Sequence, residues 1–386
     1  MTRFLIVAGE VSGEIYGARL MREIKAVHPR AKFTGLGGDK MMAEGLDLLY
    51  HCRDMAAIGL VDVLSKTRFF LGVIESVRKK IRAGEFDAVI LIDYPGFNFR
   101  MAQTASECGV PVFYYVLPQI WAWRRYRMRA MKKWIDTIIA VFPFEPKFYA
   151  DYGMTAHFVG HPMVDEISAP PDVAAVRREL LPPGCDTLVG LMPGSRNGEV
   201  RDMLEPLVKT ADLIRAKMPR VGFVIPAAPH IDTDFIKSVV DGRDYIRTVV
   251  DGSHRVIAAS DLVIAKSGTT ALEAALFGTP AVIVYRASHI SYWFARSIVR
   301  LKSATLPNII ADKQVVREFY QLDFTPDKVA RHSLEMLGNP ELMAKAREGM
   351  EEVREKLSGK GAAKRAASII VDRLLRYKPG LAGGPL

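Results

Sequence analysis

The hydrophobic pattern along the chain alternates between short apolar runs and amphipathic stretches. Apolar, β-branched runs are followed by glycine-rich or polar turns and then by helical spacing, as over residues 4–27. This alternation is typical of βα units that build a parallel sheet. Helices are predicted over residues 16–27 and 73–81. The predicted strands of the first half are residues 4–8, 88–92, 112–116 and 137–141.

The same alternation begins again after two proline-rich breaks at residues 169–171 and 181–184. Strands are predicted there at residues 188–192, 222–225, 246–249, 262–265 and 281–285. The pattern therefore predicts an α/β protein with two Rossmann-like domains that face each other across a cleft. The predicted parts are a first domain over 1–168, a hinge over 169–186, a second domain over 187–350, closing helices over 351–377 that could pack back on the first domain, and a frayed tail over 378–386.

Charge and cysteine content narrow the cellular setting. The 386 residues include 53 Lys and Arg against 43 Asp and Glu, a net charge of +10, which favours anionic partners such as nucleic acid, acidic lipid or phosphorylated substrates. Three isolated cysteines argue against a disulfide framework or a zinc site and for a reducing cytoplasm. The longest uncharged stretch, 108–123, contains two prolines and is shorter than the about 20 residues of a membrane span. A cytoplasmic protein, soluble or peripheral to a membrane, is expected.

Two turns of the first half carry candidate chemistry, because ligands of open α/β sheets collect at the carboxyl ends of strands. Gly9, Glu10, Ser12 and Gly13 follow the first strand, where small residues let the backbone approach a ligand, although a tight βα turn explains them equally well. Asp93 follows the strand at 88–92 and has the position of a partly desolvated general base. The alternative is that Asp93 only caps the next helix.

Two turns of the second half favour an anion. Ser195 and Arg196 open its first helix, where a serine could cap and an arginine could reach a phosphate; the alternative is an ordinary surface arginine. A further turn crowds hydroxyls and backbone amides at one helix start, and Glu273, one turn in, could accept two ribose hydroxyls. The residues of that turn are Ser267, Gly268, Thr269 and Thr270. Together the two turns predict a nucleotide diphosphate site.

Aromatic and basic residues are concentrated in two regions. Residues 119–135 hold six cations and no acid, interleaved with aromatic rings, and residues 69–77 are more apolar than one core face requires. Such regions suit a membrane interface or, for the basic stretch, nucleic acid, whereas burial in the core is the alternative. The candidate residues for contact with membrane or acyl chains are Phe69, Phe70, Leu71, Ile74, Trp121, Trp123 and Arg124. His161 has no partner at metal-ligand spacing and is interpreted as structural.

Nine short motifs occur in the order found in the lipid-A-disaccharide synthase family. They are residues 8–14 (AGEVSGE), 35–38 (GLGG), 92–98 (IDYPGFN), 118–124 (PQIWAWR), 142–145 (FPFE), 158–162 (FVGHP), 191–196 (LMPGSR), 267–273 (SGTTALE) and 306–308 (LPN). Each motif is weak alone, but the ordered set is specific, and the chain resembles that family over about residues 4–320. It departs from the family pattern at Gly96, where many members carry a second Asp, and in residues 10–14, where EVSGE replaces EASGD.

The resemblance implies an inverting glycosyltransferase of the GT-B type. Such an enzyme transfers diacylglucosamine from UDP-2,3-diacylglucosamine to 2,3-diacylglucosamine 1-phosphate (lipid X), giving lipid A disaccharide 1-phosphate and UDP. Asp93 would be the base, Arg196 and the turn 267–270 would stabilise the departing diphosphate, and Glu273 and Asn308 would belong to the donor site. Asn98 and the first loop would line the acceptor side.

The same resemblance implies the setting of the enzyme. No metal or other cofactor is predicted. The expected location is the cytoplasmic face of the inner membrane of a Gram-negative cell, on anionic lipid, and whether the enzyme is a homodimer stays open. The rivals are another GT-B UDP-sugar transferase or a UDP-sugar epimerase and, from a different class, a basic nucleic-acid-binding protein.

Overall fold

Two separate parallel sheets organise the chain. The computed structural model describes residues 1–56, 63–121, 127–167, 172–286, 303, 305–357 and 359–378. It divides into one unit of Met1–Asp165 with Leu357–Leu386 and a second unit of Glu166–Lys356. The strands are β1 (Thr2–Ala8), β2 (Ala31–Gly37), β3 (Leu46–His51), β4 (Ala88–Ile92), β5 (Val112–Tyr115), β6 (Thr137–Ala140), β7 (Ala156–Phe158), β8 (Thr187–Met192), β9 (Val221–Ala227), β10 (Ile246–Val250), β11 (Leu262–Lys266), β12 (Ala281–Tyr285) and β13 (Arg317–Tyr320).

Helices connect the strands in both units. They are α1 (Val11–Val27), α2 (Asp39–Ala43), α3 (Cys52–Ala56), α4 (Val63–Arg82), α5 (Pro95–Glu107), α6 (Met128–Trp134), α7 (Glu145–Ala150), α8 (Met163–Glu166), α9 (Val173–Leu180), α10 (Asn197–Lys217), α11 (Thr233–Val240), α12 (Ser253–Ala259), α13 (Thr269–Phe277), α14 (Leu306–Ala311), α15 (Pro326–Leu337), α16 (Pro340–Lys356) and α17 (Ala362–Tyr377). None of these described helices is long and apolar enough to cross a membrane.

The first unit holds a seven-stranded sheet in the order β3-β2-β1-β4-β5-β6-β7. All its strand pairs are parallel, and β4 lies beside β1 with Ala8 opposite Ile92. Every side chain of β4 is buried, as expected of a central parallel strand with both faces covered. The carboxyl ends of β1 and β4 therefore lie side by side, and the loops that follow them are neighbours.

The second unit repeats this plan with a six-stranded parallel sheet in the order β10-β9-β8-β11-β12-β13. Here β8 and β11 are paired, with Met192 opposite Ala265. The loops after β8 and β11 are therefore adjacent, as the loops after β1 and β4 are in the first unit. In each sheet this pair of loops lies where the strand order reverses, the point at which open α/β sheets bind their ligands.

The division between the units differs from the predicted boundaries. The first unit ends at Asp165, and α9 occupies part of the predicted hinge but belongs to the second unit, where Arg177 donates to Asp261 Oδ2 at 2.7 Å and to Ala259 O at 2.9 Å. The described part of the predicted hinge is thus largely a short helix of the second unit, whereas residues 168–171 lie outside the described residues. Helix α16 belongs to the second unit, whereas α17 packs against α1 in the first unit. The predicted tail lies outside the described residues except for Lys378.

Four strands were not predicted from the sequence. β3, β7 and β13 lie at sheet edges, and β7 and β13 have only three and four residues. Edge strands carry polar side chains because one side faces solvent, so their apolar signal is weak. β2 lies inside its sheet but contains two glycines, which read as turn residues in the pattern.

Candidate active site

Asp93 lies in a turn whose backbone is strained. Asp93 and Tyr94, between β4 and α5, both have left-handed backbone angles, with φ of 44° and 43°, a conformation costly for residues other than glycine. Two side chains hold the turn, because Asn98 Nδ2 and the Tyr114 hydroxyl each donate to Asp93 O at 2.7 Å. Asn98, fully buried, also donates to Ile92 O at 3.2 Å. Its role here is to fix the turn.

The carboxyl group of Asp93 is prepared to accept a proton. Burial raises its pKa to about 6, with a further contribution from the negative charge of Glu10, although a hydrogen bond from the backbone of Tyr94 acts in the opposite direction. A base of this pKa is charged at neutral pH and holds a proton more strongly than an exposed aspartate. The alternative role, capping α5, is not observed, since the N-cap of α5 is Tyr94 and no side chain caps it.

Aromatic packing connects Asp93 with the first loop and with α4. A Cβ placed on Gly9 would lie 2.3 Å from Tyr94 Cδ1, so the Tyr94 ring covers the backbone of Gly9. On its other sides the Tyr94 ring packs against Phe97 at 6.0 Å and, edge to face, against Phe70 at 6.5 Å between ring centroids. Gly9 is thus required by the contact with Tyr94, beyond any role in a tight turn.

The remaining residues of the first loop begin α1. The helix N-cap is Glu10, and no side chain caps it. Ser12 is exposed and Gly13 is buried in the first turn. Glu14, also buried, accepts a hydrogen bond from Lys40 N at 2.7 Å and so ties α1 to the start of α2. Among the described side chains of this loop, Glu10 and Ser12 therefore face solvent.

The apolar face of α4 is divided between core and surface. Phe69 is 46% exposed and Leu71 is 51% exposed, whereas Phe70 is half-buried. The prediction that Ile74 contacts lipid is wrong, because Ile74 lies one turn after Phe70 on the face that packs into the core and is 4% exposed.

The aromatic motif after β5 is also partly core. Trp121 is 5% exposed and packs against Phe142 and Phe144, with centroid distances of 6.3 and 5.0 Å. Its predicted contact with lipid is therefore wrong. Trp123 and Arg124 lie outside the described residues.

Two buried titratable residues near this aromatic cluster have structural partners. His161 Nδ1 accepts from Met163 N at 3.2 Å, and burial lowers the pKa of His161 to about 3, so the interpretation of His161 as structural is confirmed. Glu145, which the sequence reasoning did not select, is fully buried and accepts from the backbone N–H groups of Val141 and Phe142 at 3.0 Å. Burial raises the pKa of Glu145 to about 7.

The predicted anion-binding residues of the second unit surround one cavity of about 340 Å³. Those brought together are Ser195, Arg196, Ser267, Gly268, Thr269, Thr270 and Glu273. The cavity is also lined by residues that the prediction did not include, among them Glu199, Asp251, Gly252, Ser253 and Lys266. These residues end strands, follow them or lie in the first turns of helices at the carboxyl edge of the second sheet.

Two helices begin at this cavity without side-chain caps. The N-cap of α10 is Arg196 and that of α13 is Gly268, and neither makes a side-chain cap hydrogen bond. Among the described residues, no side chain caps the first N–H groups of either helix, and the helix dipoles favour a negative ligand there. The prediction that Ser195 caps α10 is wrong, since the N-cap is Arg196 and no side chain caps the helix. The backbone N–H of Ser195 donates to Glu199 Oε2 at 3.1 Å.

One carboxylate lies between two cations at the cavity. Glu199 Oε1 is 3.0 Å from Lys266 Nζ and 3.6 Å from Arg196 Nη1. Burial alone would raise the pKa of Glu199. The pKa is nevertheless lowered, because Lys266 donates a hydrogen bond and is positively charged, the Ser195 N–H donates another hydrogen bond, and Arg196 adds a positive charge. The three groups together carry one net positive charge, which suits an anion.

Glu273 has a partner that the sequence reasoning missed. Its Oε1 lies 3.7 Å from His254 Nε2. The hydrogen bond to Glu273 and the charge of that residue raise the pKa of His254, although burial opposes the effect. His254 lies in α12, far from Glu273 in sequence, and no spacing signal connects the two.

Asn308 has a structural role and does not line the cavity. Its Oδ1 accepts from Val315 N at 2.6 Å and from Val316 N at 2.9 Å, and its Nδ2 donates to Val316 O at 2.9 Å and to Glu318 Oε1 at 2.7 Å. These four bonds use the full capacity of the amide. The placement of Asn308 among the donor-binding residues is therefore not supported by its contacts.

Comparison with known families decides between the readings of this site. A family model described as lipid-A-disaccharide synthetase matches residues 4–372. The chain belongs to the lipid-A-disaccharide synthase family. Two relatives with that name are the proteins of Trichlorobacter lovleyi, 39% identical over 375 residues, 96% of this chain and 97% of its own, and of Myxococcus xanthus, 36% identical over 374 residues, with coverage of 96% and 97%. A member of this family is a glycosyltransferase of lipid A biosynthesis.

Solved structures confirm the predicted GT-B-type fold of two Rossmann-like domains. The calicheamicin glycosyltransferase CalG4 matches with a TM-score of 0.59 and 12% identity over 97% of this chain and 98% of its own. A UDP-GlcNAc 2-epimerase from Neisseria meningitidis matches with a TM-score of 0.60 and 12% identity over 97% and 100%. The fold is thus shared by transferases and epimerases, and membership of the lipid-A-disaccharide synthase family is what separates this chain from the epimerases.

Proposed function

We propose that this lipid-A-disaccharide synthase family member transfers diacylglucosamine from UDP-2,3-diacylglucosamine to the primary hydroxyl of lipid X. The products are the β-1,6-linked lipid A disaccharide 1-phosphate and UDP. The observation that carries the proposal is the carboxyl group of Asp93, partly buried in a strained turn with its pKa raised to about 6. Such a group suits the removal of a proton from a sugar hydroxyl at neutral pH.

The reaction needs one displacement. Asp93 takes the proton of the acceptor hydroxyl as that oxygen attacks the anomeric carbon from the face opposite UDP. The bond from the anomeric carbon to the diphosphate breaks, and its electron pair leaves with UDP. Inversion at the anomeric carbon follows, and no covalent enzyme intermediate forms.

The cavity of the second unit supplies the groups that UDP needs. The free N–H groups at the start of α13 and the guanidinium of Arg196 are suited to the charge that develops on the departing diphosphate. Glu273, held near His254, would accept the ribose hydroxyls. We propose that these groups act without a divalent metal or another cofactor.

Helix α4 presents exposed apolar side chains that suit contact with a membrane, where acylated substrates reside. Exposed Phe69 and Leu71 lie on α4 beside the exposed Arg68, and apolar groups beside cations suit the surface of an anionic bilayer. We propose peripheral association through this end of the first unit, on the cytoplasmic face of the inner membrane.

The test is release of UDP from UDP-2,3-diacylglucosamine in the presence of EDTA. Release is expected with lipid X and absent both without acceptor and with an acceptor analogue that lacks the primary hydroxyl. Release without acceptor would indicate a hydrolase. Conversion of the donor to a 2-epimer would indicate the epimerase alternative, and loss of activity in EDTA restored by Mg²⁺ would refute the metal-free mechanism.

A further inference from the structure

Lys266 is a fixed cation at the wall of the nucleotide cavity. It is the last residue of β11 and directly precedes the turn 267–270, and it lines the same cavity as that turn. Its ammonium is 3.0 Å from Glu199 Oε1 and lies over the ring of Tyr285 at 5.5 Å from the centroid. Only 20% of its side chain is exposed. Lys266 is therefore held in place before any ligand enters.

Arg196, the other cation of the cavity, is held much less firmly. Its side chain is 80% exposed and, among the described residues, forms an ion pair with Glu199 alone, at 3.6 Å. A buried, oriented charge stabilises a transition state more effectively than an exposed one, because no reorganisation is needed during the reaction. On this comparison Lys266 is better placed than Arg196 to act on a diphosphate.

The contact with Glu199 uses only part of the hydrogen-bonding capacity of Lys266. An ammonium has three N–H donors, and the described contacts of Lys266 use one of them, for Glu199. The carboxylate of Glu199 is also shared with the N–H of Ser195 and with Arg196. The pair is thus not a closed ion pair, and within the described residues no hydrogen bond uses the other two N–H donors of Lys266, beside the start of α13.

We propose that Lys266 is a further catalytic residue, whose ammonium binds the diphosphate of the UDP-sugar and stabilises it as the bond to the anomeric carbon breaks. Glu199 is the positioning residue that holds Lys266 and the loop 193–196 together. UDP gains one negative charge when it leaves with the electron pair of that bond, and the fixed charge of Lys266 meets it there. This inference rests on the proposed function, because it takes the cavity as the site of UDP.

The experiment compares binding of UDP and of uridine by calorimetry, using the full chain. Lys266→Met is expected to weaken UDP binding by roughly 10- to 100-fold, the range for a lost hydrogen bond to a charged group, and to leave uridine binding unchanged. Lys266→Arg should restore part of the loss. Lys209→Met removes an exposed lysine of α10 that pairs with Glu205 at 4.0 Å and serves as the control with wild-type binding.

Steady-state kinetics supply the second readout. In Lys266→Met the kcat for UDP release should fall at least tenfold while the KM for lipid X is unchanged, and Glu199→Gln should show a smaller loss of the same kind. Equal UDP affinity in Lys266→Met and wild type, or parallel loss of UDP and uridine binding, would overturn the assignment of Lys266. If the wild type binds neither UDP nor uridine, the proposed function itself fails, a result distinct from both.

Discussion

A methyl group added at Gly9 tests whether the Asp93 turn depends on its packing. In Gly9→Ala the new Cβ would lie 2.3, 2.4 and 2.7 Å from three ring atoms of Tyr94. The Tyr94 ring cannot retreat freely, because Phe70 and Phe97 pack against it. Ordinary contact begins near 3.4 Å, so the ring or the loop must move by about 1 Å.

The size of the effect follows from that displacement. Overpacking of this kind costs about 1–3 kcal/mol of unfolding free energy. Because Tyr94 directly follows Asp93, the carboxyl group moves with the ring, and a misplacement of about 1 Å in a catalytic group can cost about 100-fold in rate. We therefore expect kcat to fall by about two orders of magnitude. UDP binding should be unchanged, since the cavity belongs to the other unit.

The matched control is Gly96→Ala. Gly96 lies two residues after Tyr94, in the first turn of α5, and is exposed, with no atom within 4 Å of an added Cβ. Acceptor-dependent UDP release and urea unfolding are measured for both variants, and wild-type kcat is expected for Gly96→Ala. Wild-type kcat in Gly9→Ala, with unchanged unfolding free energy, would refute the role assigned to this contact.

Two further predictions concern charge and burial. The raised pKa of Asp93 means that its charged form destabilises the fold: its favourable contribution is complete below its ordinary pKa and lost as pH rises through about 6. In urea denaturation at pH 8, the unfolding free energy of Asp93→Asn should therefore exceed that of the wild type by on the order of 3 kcal/mol. The two unfolding free energies should agree at pH 4, and a difference that does not depend on pH would contradict this. In sedimentation with anionic vesicles, the double variant Phe69→Ser/Leu71→Ser should bind the vesicles more weakly than the wild type, at unchanged unfolding free energy. Ile74→Ser should instead lose about 2–5 kcal/mol of unfolding free energy. Equal unfolding free energies for the double variant and Ile74→Ser would contradict the burial pattern.

The central strands could be predicted from the sequence because of where they lie. β4 and β12 have the predicted bounds, and each is a continuous apolar run in the interior of its sheet. The apolar-run signal failed for β13, at a sheet edge, where Arg317 and Glu318 interrupt the pattern. Strand prediction from apolar runs thus works best where both faces are buried and no glycine interrupts the run, as Gly35 does in β2.

The candidate site was predictable for the same topological reason. The turns after β4, β8 and β11 had to lie at the carboxyl edges of their sheets, so Asp93, Arg196 and Ser267 could be selected without knowing any contact. Contacts between side chains could not be predicted from the order of strands and turns. The approach of Tyr94 to Gly9 and the bond between Lys266 and Glu199 join residues that are distant in sequence, and no spacing encodes them.

The order of the motifs indicated the family, but a residue's position within a motif did not reliably predict its role. Asn308 lies in a stretch that matches a family motif, but the hydrogen bonds of its side chain are all made with Val315, Val316 and Glu318. Trp121 is aromatic and close to cations in sequence, yet it packs in the core. A motif fixes where a residue stands in the chain, whereas the role depends on what the side chain contacts.

The most direct test of the account is the activity of Asp93→Asn in the acceptor-dependent UDP release assay with EDTA present. Asparagine keeps the shape of the side chain and removes its ability to take a proton. The account predicts that kcat falls by at least about 100-fold, the range for loss of a general base, while UDP binds as in wild type. An Asp93→Asn enzyme with wild-type kcat would contradict the claim that this carboxylate is the base.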